Sequence, residues 1–177
     1  MDIVFETPRL LARKFTPADA ALVLALNSDT EVLKYIHEVQ LRDEMHALKI
    51  LNDIILPQYT HKLGRWAIHI KDSNEFIGWC GLKHRFELSK VDLGYRFKRS
   101  AWGNGYATEA ARHTIEYGFT QLRLPLITAC AHIDNIASWK VLEKIGMLFT
   151  GEGVVDGCQV RQYEACRSLD GLGRLEV

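Results

Sequence analysis

Val91-Asp92-Leu93-Gly94-Tyr95-Arg96-Phe97, then Lys98-Arg99-Ser100-Ala101, then Trp102-Gly103-Asn104-Gly105-Tyr106-Ala107-Thr108-Glu109-Ala110 is the stretch from which the rest of the chain can be read. A strand over the first seven residues puts Val91, Leu93, Tyr95 and Phe97 on one side and Asp92, Gly94 and Arg96 on the other. The order is strand, glycine turn, helix. Gly103 and Gly105 let the backbone pass close to a ligand, and the helix behind them aims unpaired N–H groups and the positive end of its dipole at that ligand. Such an arrangement suits a phosphate, although a bare Gly-x-Gly is also what a plain turn needs. Neither common phosphate fingerprint is completed: Thr108 stands where G-x-G-x-x-G has its third glycine, and no Gly-Lys-Ser/Thr follows. A phosphate here belongs to some other carrier.

Toward the C-terminus, the helix runs from about Gly105 to Leu122 with Ala107, Ala111, Thr114, Ile115, Gly118 and Leu122 facing the sheet, small residues that permit close packing. Pro125 stops it. Leu126–His132 reads as a buried strand, parallel to Val91–Phe97 through the helical crossover. Asp134-Asn135 caps a second helix with an apolar stripe of Ile136, Trp139, Leu142 and Ile145, closed by Gly146. Val154 to Val160 turns at Asp156-Gly157 as a terminal hairpin.

Toward the N-terminus, Trp66–Ile70 and Phe76–Leu82 alternate as strands about an Asp72-Ser73-Asn74 turn. Gly78 and Gly81 point to a bulge or a close approach of a ligand. Leu48, Leu51 and Ile55 share a face of a helix from Asp43 to Leu56 that Pro57 ends, and Val32–Ile36 forms a shorter one. Thr16-Pro17-Ala18-Asp19 starts a further helix with a capping-box-like pair, after an extended run Thr7–Arg13.

At 177 residues the chain suits one domain, residues 1–168, followed by a short tail, 169–177. Lys plus Arg and Asp plus Glu number 22 each, so no global field draws the protein to nucleic acid or to an anionic membrane. No basic segment followed by an apolar one opens the chain, no run approaches membrane-spanning length, and the expected location is the cytoplasm. Cys80, Cys130, Cys158 and Cys166 are scattered, with no C-x-x-C pair and no His at zinc-ligand spacing; they read as reduced, mostly buried thiols, and no metal is expected.

Trp102 to Ala107, followed by Thr108-Glu109-Ala110, resembles motif A of the GCN5-related N-acetyltransferases (GNAT), Gln/Arg-x-x-Gly-x-Gly/Ala. Gly105 and Ala107 fill the last two defined places, and Trp102 takes the first, as is ordinary in the RimJ/RimL-like branch that acetylates ribosomal-protein N-termini. The run from Asp134 to Met147, "DNIASWKVLEKIGM", resembles motif B of the same branch. Asn135, Ser138, Glu143, Lys144 and Gly146 match in register, and Met147 replaces the usual Phe. The opening "TPRLLARKFTPADA" is similar to the start of that branch.

The resemblance implies a single α/β (α+β) domain: a mixed, mostly antiparallel sheet with a splayed parallel central strand pair and flanking helices. It also implies an N-acetyltransferase with acetyl-CoA as donor and CoA as product. Trp102, Gly103, Asn104, Gly105, Tyr106 and Ala107 would cradle the pyrophosphate. The backbone of Tyr95, Arg96 and Phe97 would bond the pantetheine arm, with Asn135 and Ser138 beside it.

Acyl transfer to an amine requires removal of a proton from the ammonium, a hold on the developing oxyanion, and stabilisation of the departing thiolate. By the resemblance Ser138 serves the thiolate, because the Tyr that many relatives use as acid falls at Leu142. Asn135 reads both as helix cap and as pantetheine contact. Asp92 is the candidate base, directly or through water, with a solvated edge carboxylate as an equal reading; His84 and His132 are alternatives. Glu38, Gln40, Asp43 and Glu44 lie in the region that walls the acceptor in the family, or on a solvated helix face. Trp66, Trp79 and Trp139 read as core and Trp102 as cover for the turn.

The implied acceptor is a peptide N-terminus or a small-molecule amine. No nucleic-acid or membrane partner is implied, and a homodimer is left open. The alternative on the same fold is an acyl-CoA-binding or sensing protein without chemistry, which would bind the donor and release no CoA in response to amines.

Overall fold

The computed structural model describes residues 2–36, 40–86 and 89–167. The chain runs β1 (Ile3–Glu6), β2 (Leu10–Lys14), α1 (Ala20–Asn27), α2 (Thr30–Leu33), α3 (Glu44–Ile50), β3 (Gly64–Ile70), β4 (Phe76–Arg85), β5 (Lys90–Phe97), α4 (Tyr106–Thr120), β6 (Leu126–His132), α5 (Ile136–Lys144), β7 (Leu148–Val155) and β8 (Cys158–Cys166). The strands form one sheet in the order β1-β2-β3-β4-β5-β6-β8-β7. Among the described residues only β5 and β6 pair in parallel, and α4 is the crossover between them.

Period-two alternation sends successive residues to opposite faces. Trp66 of β3 joins Ile115 of α4 and Leu142 of α5 in one core, while its neighbour Ala67 joins Val23 and Leu26 of α1 and Leu51 in a second. The sheet is therefore sandwiched between α4 and α5 on one face and α1 to α3 on the other. On α4, Ala110, Ala111, Thr114, Ile115, Gly118 and Phe119 are buried. Gly118 has to be small: a Cβ there would sit 2.7 Å from Ile127 and 3.0 Å from Leu82.

Several boundaries differ from the sequence reading. Within the extended run Thr7–Arg13, Thr7 to Arg9 form a turn and the remainder lies in β2, while a further strand, β1, precedes it. Pro57 does not end the helical path, which continues from α3 as a wider π-helical turn, Leu51–Ile55, and then a 3-10 segment, Leu56–His61. Proline is tolerated in the first turn of such a segment because its missing N–H has no partner to lose. The terminal hairpin is more than twice as long as read, because β7 has no buried residue and exposes Leu148, Phe149 and Val154, so it shows no apolar-in, polar-out alternation. Gly78 and Gly81 make room for neighbouring backbone rather than for a ligand: a Cβ at Gly81 would lie 1.9 Å from the Gly64 carbonyl oxygen. Only Cys80 is buried, Cys130 and Cys158 are half-buried and Cys166 is exposed, contrary to the expectation of mostly buried thiols, because the last two lie at the ends of β8. No helix among the described residues is long and apolar enough to cross a membrane. Glu38 and the tail beyond 168 lie outside the described residues.

Candidate active site

Gly103 and Gly105 both have φ of 77°, the left-handed region that suits glycine. Gly105 is the residue before α4, whose ladder begins with Glu109 N donating to the Gly105 carbonyl at 3.0 Å. The earlier amides of the helix have no intrahelical acceptor. A Cβ at Gly103 would meet nothing within 4 Å, so the turn is open to one side. Trp102 is half exposed and its Nε1 donates to the Phe97 carbonyl at 2.9 Å, tying the turn to the end of β5. The Asn104 side chain is used within the loop, donating to the Trp102 carbonyl at 3.1 Å.

Directly before this turn the two parallel strands part. β5 and β6 pair at Asp92 with Thr128 and at Leu93 with Ala129, and beyond Leu93 the ladder stops. Lys98 N donates to Ile77 of β4 at 2.8 Å. Amide directions alternate along a strand, so the N–H groups of Arg96 and Gly94 point toward β4, and those of Tyr95 and Phe97 point into the gap. Of the three residues expected to offer backbone donors, Arg96 is thus turned away. Its side chain is buried on the other face, where it bonds Asn27 of α1 and lies over the Trp79 ring.

On the α4 and α5 face, Asn135 caps α5 by accepting from Ser138 N at 3.1 Å. The Tyr95 hydroxyl donates to the Ser138 carbonyl at 2.8 Å and stands 3.0 Å from Ser138 Oγ. Burial pushes the Tyr95 phenol above its ordinary range, with the Ser138 hydrogen bond opposing. The phenol therefore holds its proton and is a hydrogen-bond donor to Ser138. Leu142 is buried in the core and has no part in this cluster.

On the opposite face lies an open recess lined by Asp92, Thr128, Cys130, Gln162 and Glu164, with Arg85 and Lys90 beside them. Asp92 accepts from Thr128 Oγ1 at 3.1 Å. Burial raises its carboxyl to about 6, against the hydrogen bond from Thr128 and the positive charge of Arg85, both of which pull it down. The histidines fit the role of base less well. His132 Nδ1 accepts from the Asp134 amide at 3.2 Å, which commits the lone pair that a neutral base would offer. His84 pairs across from Val91, on the face away from Asp92, and packs on Phe86 at 4.2 Å. Asp43 is the cap of α3, accepting from His46 N at 2.8 Å, and Gln40 donates to the Ser28 carbonyl, so neither is a free acceptor-wall group. Among the described residues, no three His, Cys, Asp or Glu side chains converge as a metal site.

The model of the acetyltransferase (GNAT) domain family matches residues 9–148. The chain belongs to the GNAT acetyltransferases. Its relatives include an uncharacterised N-acetyltransferase, p20, of Bacillus licheniformis, 33% identical over 165 residues, which span 91% of this chain and 87% of that protein. Among solved structures, a GNAT-family acetyltransferase from Bacillus anthracis superposes with a TM-score of 0.79 at 27% identity, over 94% of this chain and 98% of that one. RimL, the ribosomal L7/L12 α-N-protein acetyltransferase solved with coenzyme A, superposes at 0.81 over 93% and 98% of the two chains; at 14% identity it shares the fold alone. The GNAT fold, the parallel β5–β6 pair and the N-acetyltransferase class all agree with the sequence reading.

Two groups of this GNAT site escaped the sequence. The resemblance points to the Tyr95 backbone only, although its place beside Val91, Leu93 and Phe97 on one strand side aims its hydroxyl at the face that carries Ser138. Thr128 was read as a strand residue, and its contact with Asp92 depends on the parallel register of β5 and β6, which no local pattern reveals.

Proposed function

We propose that this GNAT enzyme transfers the acetyl group of acetyl-CoA to a primary amine, a peptide N-terminus or a small-molecule amine, by direct attack with both substrates bound. The observation that carries this reading is the disposition of Asp92 and Ser138 on opposite faces of the sheet, close to where β5 and β6 part. An amine entering the recess can lose its proton on one side while the thiolate is stabilised on the other.

The residues present fit the donor. The turn at Gly103 and Gly105 is open and faces the start of α4, the gap between β5 and β6 offers two inward N–H groups, and the neighbouring Glu109 carboxylate is drawn away by Thr7 and Arg9. When bound, acetyl-CoA supplies an activated thioester carbonyl and a thiol leaving group. The Tyr95 amide, two residues past the last paired position, is set to donate to the thioester oxygen, and the Phe97 amide to the pantetheine arm. Tyr95 O–H donates into the Ser138 cluster, which frees the Ser138 Oγ–H to turn toward sulfur. Asp92, ionised above pH about 6, takes the proton of the incoming ammonium directly or through one water.

Ser138→Ala is expected to lower kcat more than it changes the KM for acetyl-CoA, and Tyr95→Phe to have a smaller effect of the same kind. Loss of one hydrogen bond of this sort costs roughly 1 kcal/mol, or about fivefold in rate, and more when the acceptor is charged. An unaltered kcat in Ser138→Ala would remove its assigned role. Donor binding is tested by thermal unfolding with acetyl-CoA, CoA, ADP and ATP at matched concentration, since a ligand at a hundred times its Kd stabilises by about 2.7 kcal/mol. A shift with the two CoA species that neither nucleotide matches is expected; no shift with either would refute the donor site. Amine-dependent release of CoA thiol then separates the enzyme from a mere acyl-CoA binder.

A further inference from the structure

The turn between β1 and β2 lies at the far side of the sheet from the β5–β6 gap, yet it is bound tightly to the start of α4. Thr7 Oγ1 donates to one Glu109 carboxylate oxygen at 2.6 Å, the Arg9 amide donates to the same oxygen at 3.0 Å, and Arg9 Nε donates to the other at 2.6 Å. Arg9 continues past the helix: its Nη1 donates to the Asn104 carbonyl at 3.0 Å, and its guanidinium lies 4.7 Å from the centre of the Tyr106 ring. The remaining Nη2 stands 3.5 Å from where a Cβ on Gly105 would be. The turn is anchored in its own right, because Lys71 N donates to the Arg9 carbonyl at 2.9 Å and Lys71 Nζ to the Thr7 carbonyl at 3.2 Å.

One planar guanidinium thus joins the Glu109 carboxylate of α4 to a carbonyl and an aromatic face of the 102–107 segment. A glycine turn with two left-handed residues has several backbone conformations of similar energy, and an anion cradle works only in the one that aligns its N–H groups. We propose that Arg9, held by Glu109, is a positioning residue that keeps the Trp102–Ala107 turn in its phosphate-binding conformation. This rests on the reading of that turn as the pyrophosphate site. Arg9 acts through the Asn104 carbonyl and the Tyr106 ring, and Glu109 acts by orienting Arg9.

The test is steady-state kinetics with two donors, acetyl-CoA and S-acetylpantetheine, which lacks the pyrophosphate. Arg9→Ala is expected to raise the KM for acetyl-CoA by about 10- to 100-fold, the range for lost charge-assisted hydrogen bonds, with kcat within about threefold. The KM for S-acetylpantetheine should not move. Glu109→Gln should show the same pattern more weakly, and the double variant should be no worse than Arg9→Ala, because both remove one clamp. Arg9→Lys keeps the charge but cannot bond the Glu109 carboxylate and Asn104 in one plane, so it should recover little. Full recovery by Lys would overturn positioning in favour of direct charge, and equal losses with both donors would overturn it in favour of general structural damage. An unchanged acetyl-CoA KM in Arg9→Ala would also overturn it. If Gly105→Glu leaves that KM unchanged as well, the pyrophosphate reading has failed; if only Arg9→Ala does, the clamp alone has failed.

Discussion

Gly105→Glu is expected to give a folded protein that has lost acetyl-CoA binding. Two costs combine. Gly105 sits at φ of 77°, where a residue with a Cβ costs on the order of 1 kcal/mol. The larger cost is electrostatic. A carboxylate placed about 5 Å from a phosphate opposes it by roughly 3 kcal/mol per unit charge at an effective dielectric constant near 20, which is more than a hundredfold in Kd. The new side chain points toward Arg9 Nη2, 3.5 Å from its Cβ, so it can also draw the guanidinium off the Asn104 carbonyl and loosen the turn. The fold should tolerate the change, since Gly105 is exposed and a Cβ there meets only the far end of the Arg9 side chain. Isothermal titration with CoA checks it, alongside circular dichroism for folding. A folded variant with wild-type affinity would remove the 102–107 turn as the pyrophosphate site. Gly105→Ala carries only the backbone cost, and its Kd should rise by about tenfold or less.

The turn at Gly103 and Gly105 and the helix start behind it were legible because left-handed backbone favours glycine, which marks the turn in the sequence itself. Local periodicity likewise placed β5, α4, β6 and α5 to within a few residues, because each has a strong one-sided apolar pattern. Legibility fails where a contact depends on tertiary register. Arg9 and Glu109 are a hundred positions apart and meet only because α4 crosses the sheet toward the β1–β2 turn. Asp92 and Thr128 meet through one of only two paired positions between parallel strands. Pro57 misled for a different reason: proline breaks an α-helix interior but opens a 3-10 segment without loss.

Asp92→Asn should nearly abolish turnover while making the protein more stable at pH 7. The catalytic half follows from its assigned role: a positioned general base contributes about 10²- to 10⁴-fold, and an amide cannot accept the ammonium proton. The stability half follows from burial, which raises the folded-state carboxyl from 3.8 to about 6. The folded protein therefore binds this proton more tightly than the unfolded chain does. The group's contribution is fully favourable below pH about 4 and is lost as pH rises toward and through about 6. At pH 7 the ionised side chain destabilises by about 2 kcal/mol, allowing for its residual contact with solvent, and the neutral amide removes that cost while still accepting from Thr128.

Urea unfolding at pH 7 should place Asp92→Asn above wild type, and the two curves should converge near pH 4. In the wild type, kcat/KM should climb as pH rises through about 6, and that limb should vanish in the variant. Thr128→Val, which deletes the one hydrogen bond that pulls the carboxyl down, should move the limb to higher pH without abolishing it. A variant both active and unchanged in stability would show that Asp92 is neither the base nor a strained carboxylate. More stability with full activity would keep the burial argument and transfer proton removal to solvent. The same burial that makes Asp92 costly to the fold keeps it poised to exchange a proton near neutral pH, so the two measurements report one physical cause.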